Sequence, residues 1–289
     1  MSHHGVAMPD RDAADLVIRE HGRLTADGLA QHLRPSTTGR LLIDLRHLTF
    51  IDPAGLVSIA VLTEQATDVG RPVTITAPDS ADVASYVARM RLGRHLDQLG
   101  IPHSLPDVRE NQLGARLVEL HRFEGQAGLE RVVGALVQTF IAEHRDVQPL
   151  YAALQEIAEN VIQHSGRGHG YAALQRFPNS QKVEFAVADG GVGLRARLSE
   201  SVPVPDDRIA VVLAAQTHVT SSGQAGRGRG IGEVIGIAGR RRGDVVLVSG
   251  DAHGLFHRGS LDPQLSTLGA PHPGTLAHAC LTPVGSPPP

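Results

Sequence analysis

Three polar or glycine-rich motifs follow one another in the second half of the chain, and each adjoins a predicted helix or strand. The first is Glu156-Ile-Ala-Glu-Asn160, inside a helix predicted over Gln148–His164. Residues four positions apart share one helix face. An amide oxygen at Asn160 suits Mg²⁺, which prefers oxygen ligands. A carboxylate at Glu156 suits a base that orients or deprotonates a nucleophile. Alone, this spacing fits a solvated helix face equally well.

The second motif is the turn Asp189-Gly-Gly-Val-Gly193, which directly follows an alternating strand predicted over Val183–Ala188. Glycine lets the backbone approach a ligand closely. An aspartate at a strand end can accept a hydrogen bond from an exocyclic amine such as that of adenine. The alternative is a tight surface turn, because Asp-Gly is a common turn signal.

The third motif is Gly226-Arg-Gly-Arg-Gly-Ile-Gly-Glu233, which leads into a helix predicted over Gly230–Ala238. Free N–H groups at a helix N-terminus bind phosphates, and arginine adds bidentate contacts. The alternative is a flexible linker, which the apolar helix that follows disfavours.

In order and context, these motifs resemble the N, G1 and G2 boxes of the GHKL superfamily, which includes the ATP-binding domains of gyrase and histidine kinases. The resemblance covers residues 115–283 and implies ATP and Mg²⁺ as ligands. It implies that Glu156 is the catalytic base, that Asn160 binds Mg²⁺, and that Asp189 binds adenine. It also implies that small residues form the rest of the nucleotide site: Gly191, Gly193, Gly228, Gly230, Gly232 and Thr275.

Two further features belong to this resemblance. The segment Leu194–Ala225 is similar to the ATP lid of the superfamily, and Thr275 corresponds to a threonine that supports the adenine-binding aspartate. Ile231 stands where leucine is usual, which is a conservative difference.

The first half of the chain alternates short apolar runs with helical patterns. Leu41–Asp44 and Val73–Thr76 predict buried strands. Ala54–Ala66 and Asp79–Met90 predict helices, the second capped by Asp79 or Ser80. Strands that alternate with helices predict a parallel-type α/β sheet.

The stretch from Leu42 to Leu56 resembles a STAS domain, the fold of anti-sigma factor antagonists, and sets a first domain at residues 13–105. The alternative is another small α/β domain. Antagonists carry a phosphorylatable serine or threonine after the aspartate of this loop. Here Pro53 follows Asp52, so we do not expect phosphorylation to switch this domain.

The predicted fold is therefore an α/β STAS-like domain followed by an α+β sandwich, of the GHKL or Bergerat type, with helices on a mixed, mostly antiparallel sheet. The boundary is expected within Gly100–Gly114, where prolines interrupt the pattern. Residues Gly259–Pro273 are predicted to form a loop, and residues 284–289 a disordered tail.

Charge and cysteine usage exclude several classes of protein. The net charge of −3 does not favour a nucleic-acid or membrane surface. No apolar run is long enough for a membrane span. The lone Cys280 excludes an intrachain disulfide framework. We therefore expect a cytoplasmic protein. Its histidines, such as His164 and His169, show no evident metal-ligand spacing.

Two functions remain open, one enzymatic and one not. A STAS module beside a GHKL domain implies a serine/threonine kinase of the partner-switching type, whose partners are an antagonist and a sigma factor. Alternatively, ATP orders the lid and thereby controls partner docking without turnover. A mechanochemical ATPase needs a further domain with a phosphate-binding lysine, whereas Lys182 precedes the adenine motif. A homodimer is a common default.

Overall fold

The computed structural model describes residues 14–18, 22–36, 39–107, 117–141, 154–155, 157–160, 165–177, 182–216 and 230–281. The strands of the first half are β1 (Ala14–Val17), β2 (Gly22–Leu24), β3 (Leu33–Pro35), β4 (Leu41–Asp44), β5 (Leu48–Ile51) and β6 (Val73–Thr76). Its helices are α1 (Leu29–His32), α2 (Pro53–Asp68), α3 (Ala81–Arg89) and α4 (Leu92–Gln98).

The first half forms a small mixed sheet in the order β3-β1-β4-β6. Strands β4 and β6 are parallel, with Leu41 opposite Val73, and α2 connects them through β5. Parallel neighbours need such a crossover, so the predicted parallel-type arrangement is present. Strand β3 is antiparallel to β1 and lies at the edge of this sheet among the described strands.

The strands of the second half are β7 (Leu117–Glu124), β8 (His169–Phe177), β9 (Lys182–Asp189), β10 (Asp244–His257) and β11 (Gln264–Leu281). Its helices are α5 (Gly125–Ile141), α6 (Gly193–Leu198), α7 (Asp207–Gln216) and α8 (Gly230–Arg240). Residues 154–155 and 157–160 are also helical. The strand order is β10-β11-β9-β8-β7, and each recorded pair is antiparallel.

Both faces of this five-stranded sheet are covered. Side chains alternate between faces along a strand. On β9, Phe185 and Val187 pack with the helices of the second half, whereas Ala186 and Ala188 pack with the first half. The helices and sheet thus form the expected α+β layers, and the second face is covered by the first half of the chain.

Helix α2 provides most of that cover. It contacts β8, β9 and β11 on one side and β4, β5 and β6 on the other. From Pro53 to Glu64 every one of its residues is buried. A helix that is apolar on all sides is typical of burial between two layers, and α2 therefore joins the two sheets.

The predicted loop at Gly259–Pro273 is wrong for most of its length. Strand β11 begins at Gln264 and pairs with β10 in a long hairpin, with a turn around Arg258 and Gly259. The register of this hairpin shifts on both sides of Gly250. Prolines are tolerated at such irregular positions because no ladder hydrogen bond is lost there.

The predicted strands at Leu41–Asp44 and Val73–Thr76 match β4 and β6, and the other predicted strands and helices overlap observed ones. The domain boundary remains a prediction: residues 101–107 are neither helix nor strand, and residues 108–116 and the tail lie outside the described ranges. Among the described residues, no helix is both long and apolar enough to cross a membrane.

Candidate functional site

The turn that follows β9 holds a buried carboxylate. Asp189 is 4 % exposed, and its Oδ1 accepts a 2.8 Å hydrogen bond from the backbone N–H of Gly191. The backbone N–H of Thr275 also donates to this carboxylate. Burial raises the pKa of Asp189 to about 6, although both N–H groups act in the opposite direction. The side chain is held in place but remains able to accept another hydrogen bond.

Two glycines of this turn meet requirements that other residues would not. A Cβ atom at Gly191 would lie 2.0 Å from the carbonyl oxygen of Ser165. Gly193 has a φ of 77°, in the left-handed region that favours glycine. The N–H of Val192 donates to that same Ser165 oxygen at 3.1 Å. The segment after the first motif therefore packs directly on the second.

A row of polar residues crosses the sheet beside the turn. Ser249, Thr275 and Asp189 face one another on the adjacent strands β10, β11 and β9. The Ser249 hydroxyl donates to the carbonyl of Gly274 at 2.9 Å and accepts from the N–H of Leu194 at 2.9 Å. Ser249 thus fastens the beginning of α6 to the strand that carries Thr275. No motif in the sequence pointed to this serine or to Ser165.

Of the other predicted site residues, three lie within the described ranges and two lie outside them. Asn160 lies half-buried at the end of a described helical segment, shortly before Ser165. Gly232 lies in α8 against α7, where a Cβ would be 2.9 Å from the carbonyl oxygen of Ala215. Gly230 is the first residue of α8. Glu156 and Gly228 lie outside the described residues.

The structure therefore places Asp189, Gly191 and Gly193 in one turn, with Thr275 opposite Asp189 on β11. Of the predicted lid, α6 and α7 are described, whereas residues 217–225 lie outside the described ranges. The arrangement presents one acceptor of hydrogen bonds on glycine-rich backbone at the end of a sheet. That chemistry suits recognition of a planar ligand that carries an amino group.

The position where the predicted STAS resemblance would place a phosphorylatable residue is also described. Pro53 is the first residue of α2 and is buried. Asp52 caps the helix, because its Oδ1 accepts a 2.9 Å hydrogen bond from the N–H of Gly55. Proline at the first helical position loses no hydrogen bond, so its role here is to begin the helix.

No protein-family model matches the chain, and a search of curated proteins finds no relative.

Proposed function

We propose that the second half of the chain is a GHKL-type domain that binds ATP with Mg²⁺, and that the first half is a STAS-like domain fused to it. The observation that carries this proposal is the buried Asp189 carboxylate at the end of β9, held by the backbone N–H groups of Gly191 and Thr275. The exocyclic amine of adenine matches this acceptor. Its placement beside close-packed glycine backbone matches a flat ring.

Phosphoryl transfer to a serine or threonine of a partner protein is the reaction that the motif set supports best. When bound, Mg²⁺ neutralises charge on the transferred phosphate oxygens. The half-buried Asn160, shortly before Ser165, is the residue that would hold it, through its amide oxygen. Glu156 would accept the proton of the acceptor hydroxyl, and Gly228, Gly230 and Gly232 would surround the phosphates.

A cytoplasmic regulator of the partner-switching type follows from this assignment, with a sigma factor or a STAS-like antagonist as partner and a homodimer as the default assembly. The fused first half is not its own phospho-acceptor, because Pro53 has no hydroxyl and is buried.

The second candidate function is a nucleotide-gated interaction module without turnover. It is favoured by the position of α2, which lies buried between the two sheets rather than on a free surface. The position after Asp52, which carries the phospho-acceptor in antagonists, is covered here. In this alternative, ATP orders the lid and so controls docking of a separate protein.

Calorimetric titration of the full chain with a non-hydrolysable ATP analogue and Mg²⁺ tests binding, and a turnover assay on the same sample separates the two functions. Asp189→Asn is expected to lower the affinity at least about tenfold, because a buried acceptor is replaced by a group that also presents donors. The exposed Asp262→Asn is the matched control. The affinity should also fall as the pH drops below about 6, since the acceptor must be ionised.

Turnover that Glu156→Ala abolishes while binding persists would support the kinase. Binding without turnover would support the gated module. Equal affinity in Asp189→Asn and the wild type would remove adenine recognition from both.

A further inference from the structure

One imidazole and two carboxylates converge where the N-terminus of α2 meets the five-stranded sheet. The Nε2 atom of His278 lies 3.8 Å from Oδ2 of Asp52 and 3.8 Å from Oε2 of Glu184. The three side chains can place their ligand atoms within 4.8 Å of one another. They come from three elements that are far apart in the sequence: the cap of α2, strand β9 and strand β11.

The imidazole of His278 has charge contacts with both carboxylates but, within the described ranges, lacks the hydrogen bonds that its burial requires. It is 6 % exposed, and among the described residues neither ring nitrogen has a hydrogen-bond partner. A separation of 3.8 Å is too long for a hydrogen bond. An unsatisfied buried polar group costs about 1–3 kcal/mol. A ligand placed between the three groups would satisfy the nitrogen that points toward both carboxylates.

The spacing suits a tetrahedral metal ion. With bonds of about 2.0–2.2 Å to nitrogen and oxygen, tetrahedral ligands lie about 3.3–3.6 Å apart. The two 3.8 Å separations from His278 reach that value with shifts of about 0.5 Å or less, and the separation between the two carboxylates, which is within 4.8 Å, reaches it with shifts of at most about 1.5 Å. Imidazole combined with carboxylates favours zinc and similar transition metals over Mg²⁺ and Ca²⁺, which prefer oxygen ligands alone.

Backbone hydrogen bonds already fix the orientation of one of the three side chains, Asp52. Backbone N–H groups of Ala26 and Gly55 donate to the two oxygens of Asp52 at 2.8 and 2.9 Å. Hydrogen bonds of this kind fix the direction of metal-binding carboxylates, and their loss typically costs about 10–100-fold in metal affinity. Asp52 is 2 % exposed, so its position is set by the fold.

We propose that Asp52, Glu184 and His278 bind one divalent transition-metal ion, with zinc as the best fit. The three side chains line a cavity of about 510 Å³, whose wall also includes the charged residues Arg23, Lys182, Asp27 and Asp244. Three protein ligands leave a coordination position open toward this cavity. Water is the ligand that this position would accept.

Metal binding would also connect the two halves of the chain. Asp52 belongs to the first half, whereas Glu184 and His278 belong to the sheet of the second. A ligand that binds only the folded state raises the unfolding temperature. Zinc should therefore stabilise the protein against heat as well as bind to it.

The test uses the full chain, treated with a chelator, desalted and titrated with zinc chloride by calorimetry without any nucleotide. We expect one ion per chain and a zinc-dependent rise in melting temperature. His278→Gln and Glu184→Gln should each lower the zinc affinity at least about tenfold and abolish the rise. Because no ATP is present, the result is independent of the proposed function.

The matched control is His103→Gln. His103 pairs with Asp97 at 3.2 Å, accepts a hydrogen bond from the N–H of Leu105, and does not line the cavity of the proposed site. Its loss should therefore leave zinc binding unchanged. Circular dichroism checks that each variant is folded. If His278→Gln does not fold, Glu184→Gln still tests the proposal. Absence of tight binding by the wild type, or equal affinity in the wild type and both folded variants, would overturn the proposal.

Discussion

The buried acidic residues at the start and toward the end of α2 lie beneath the same sheet, but the fold treats them in opposite ways. Glu64 accepts hydrogen bonds from Tyr171 Oη at 2.8 Å, His169 Nε2 at 2.9 Å and Arg122 Nε at 3.3 Å. Asp52 accepts only backbone N–H groups, and the neighbouring imidazole of His278 has no hydrogen-bond partner among the described residues.

The pKa shifts express the same difference. Burial alone would raise the pKa of Glu64, but the hydrogen bonds from His169 and Tyr171 outweigh it and lower that pKa. Burial raises the pKa of Asp52 despite the nearby His278 and the backbone donors. A fully paired network rigidifies an interface, whereas buried nitrogens without a hydrogen bond in the described part of the chain, such as those of His278, can still take a ligand. The first is a structural link between the halves, and the second is a site.

The largest effect is expected from Glu64→Leu. Removing this carboxylate leaves Tyr171, His169 and Arg122 without their shared acceptor, so the free energy of unfolding should fall by about 3–5 kcal/mol. Urea denaturation measures it. Glu124→Leu, which removes the exposed second partner of Arg122, should leave stability essentially unchanged. Similar losses in both variants would show that Glu64 is not the centre of this network.

The next largest effect is a loss of stability at acidic pH that depends on His95, which lies near Glu64. Its Nε2 is 3.0 Å from Thr63 Oγ1, and its ring contacts Tyr171 edge-on. Burial lowers the pKa of His95 to about 4, whereas the unfolded chain titrates near 6.5. Between these values only the unfolded state binds the proton, so stability falls as the pH drops from about 6.5 to 4.

This contribution is on the order of 2–3 kcal/mol. Free energies of unfolding at pH 7 and pH 4.5 should therefore differ less in His95→Gln than in the wild type. Parallel pH profiles for the two proteins would mean that His95 is not buried in its neutral form.

A smaller loss is expected from Asp52→Ala in chelator. The variant removes the cap of α2 and the acceptor of Ala26, which together contribute about 1–2 kcal/mol. Ser80→Ala is the control, because this cap of α3 makes only a 3.5 Å, exposed bond and should cost less. Thermal unfolding measures the loss of stability in both variants. A larger loss in Ser80→Ala than in Asp52→Ala would contradict the hydrogen bonds described for Asp52.

The smallest effect is expected from His278→Leu in chelator. The substitution keeps most of the volume and removes two buried nitrogens that form no hydrogen bond with the described residues, together with their 3.8 Å charge contacts to Asp52 and Glu184. These two effects oppose each other, so the free energy of unfolding should change by less than about 1 kcal/mol. Urea denaturation of His278→Leu and Glu64→Leu under the same conditions compares their free energies of unfolding directly. A loss as large as that of Glu64→Leu would show that His278 is paired within the protein.

Local patterns were sufficient for part of this fold. The strands at Leu41–Asp44 and Val73–Thr76 were predicted at their observed ends, because apolar β-branched runs bounded by turn residues depend little on distant contacts. The β10–β11 hairpin was missed, because glycines and prolines that fit an irregular register also mark a loop. Burial of α2 on both sides had a signal: no charged residue occurs from Pro53 to Thr63.

The candidate site was predictable only where it is local. Asp189, Gly191 and Gly193 occupy one turn, so the sequence places them together. Ser249 reaches this turn through strand register, which is set by the whole sheet. The same holds for His278 and Glu184 beside Asp52: their proximity requires α2 to pack on the sheet, and no spacing along the chain encodes it.

The β10–β11 hairpin has a consequence for synthesis. It packs on the edge strand β3 and on α1, and His253 Nε2 lies 3.1 Å from the carbonyl oxygen of Ala26. The ribosome completes residue 107 long before residue 281. At about 5–20 residues per second, the intervening roughly 170 residues take about 9–35 s. Throughout that interval the emerging first half has an open sheet edge, and α2 stays uncovered until β8 and β9 have been made. Such transiently exposed surface favours aggregation.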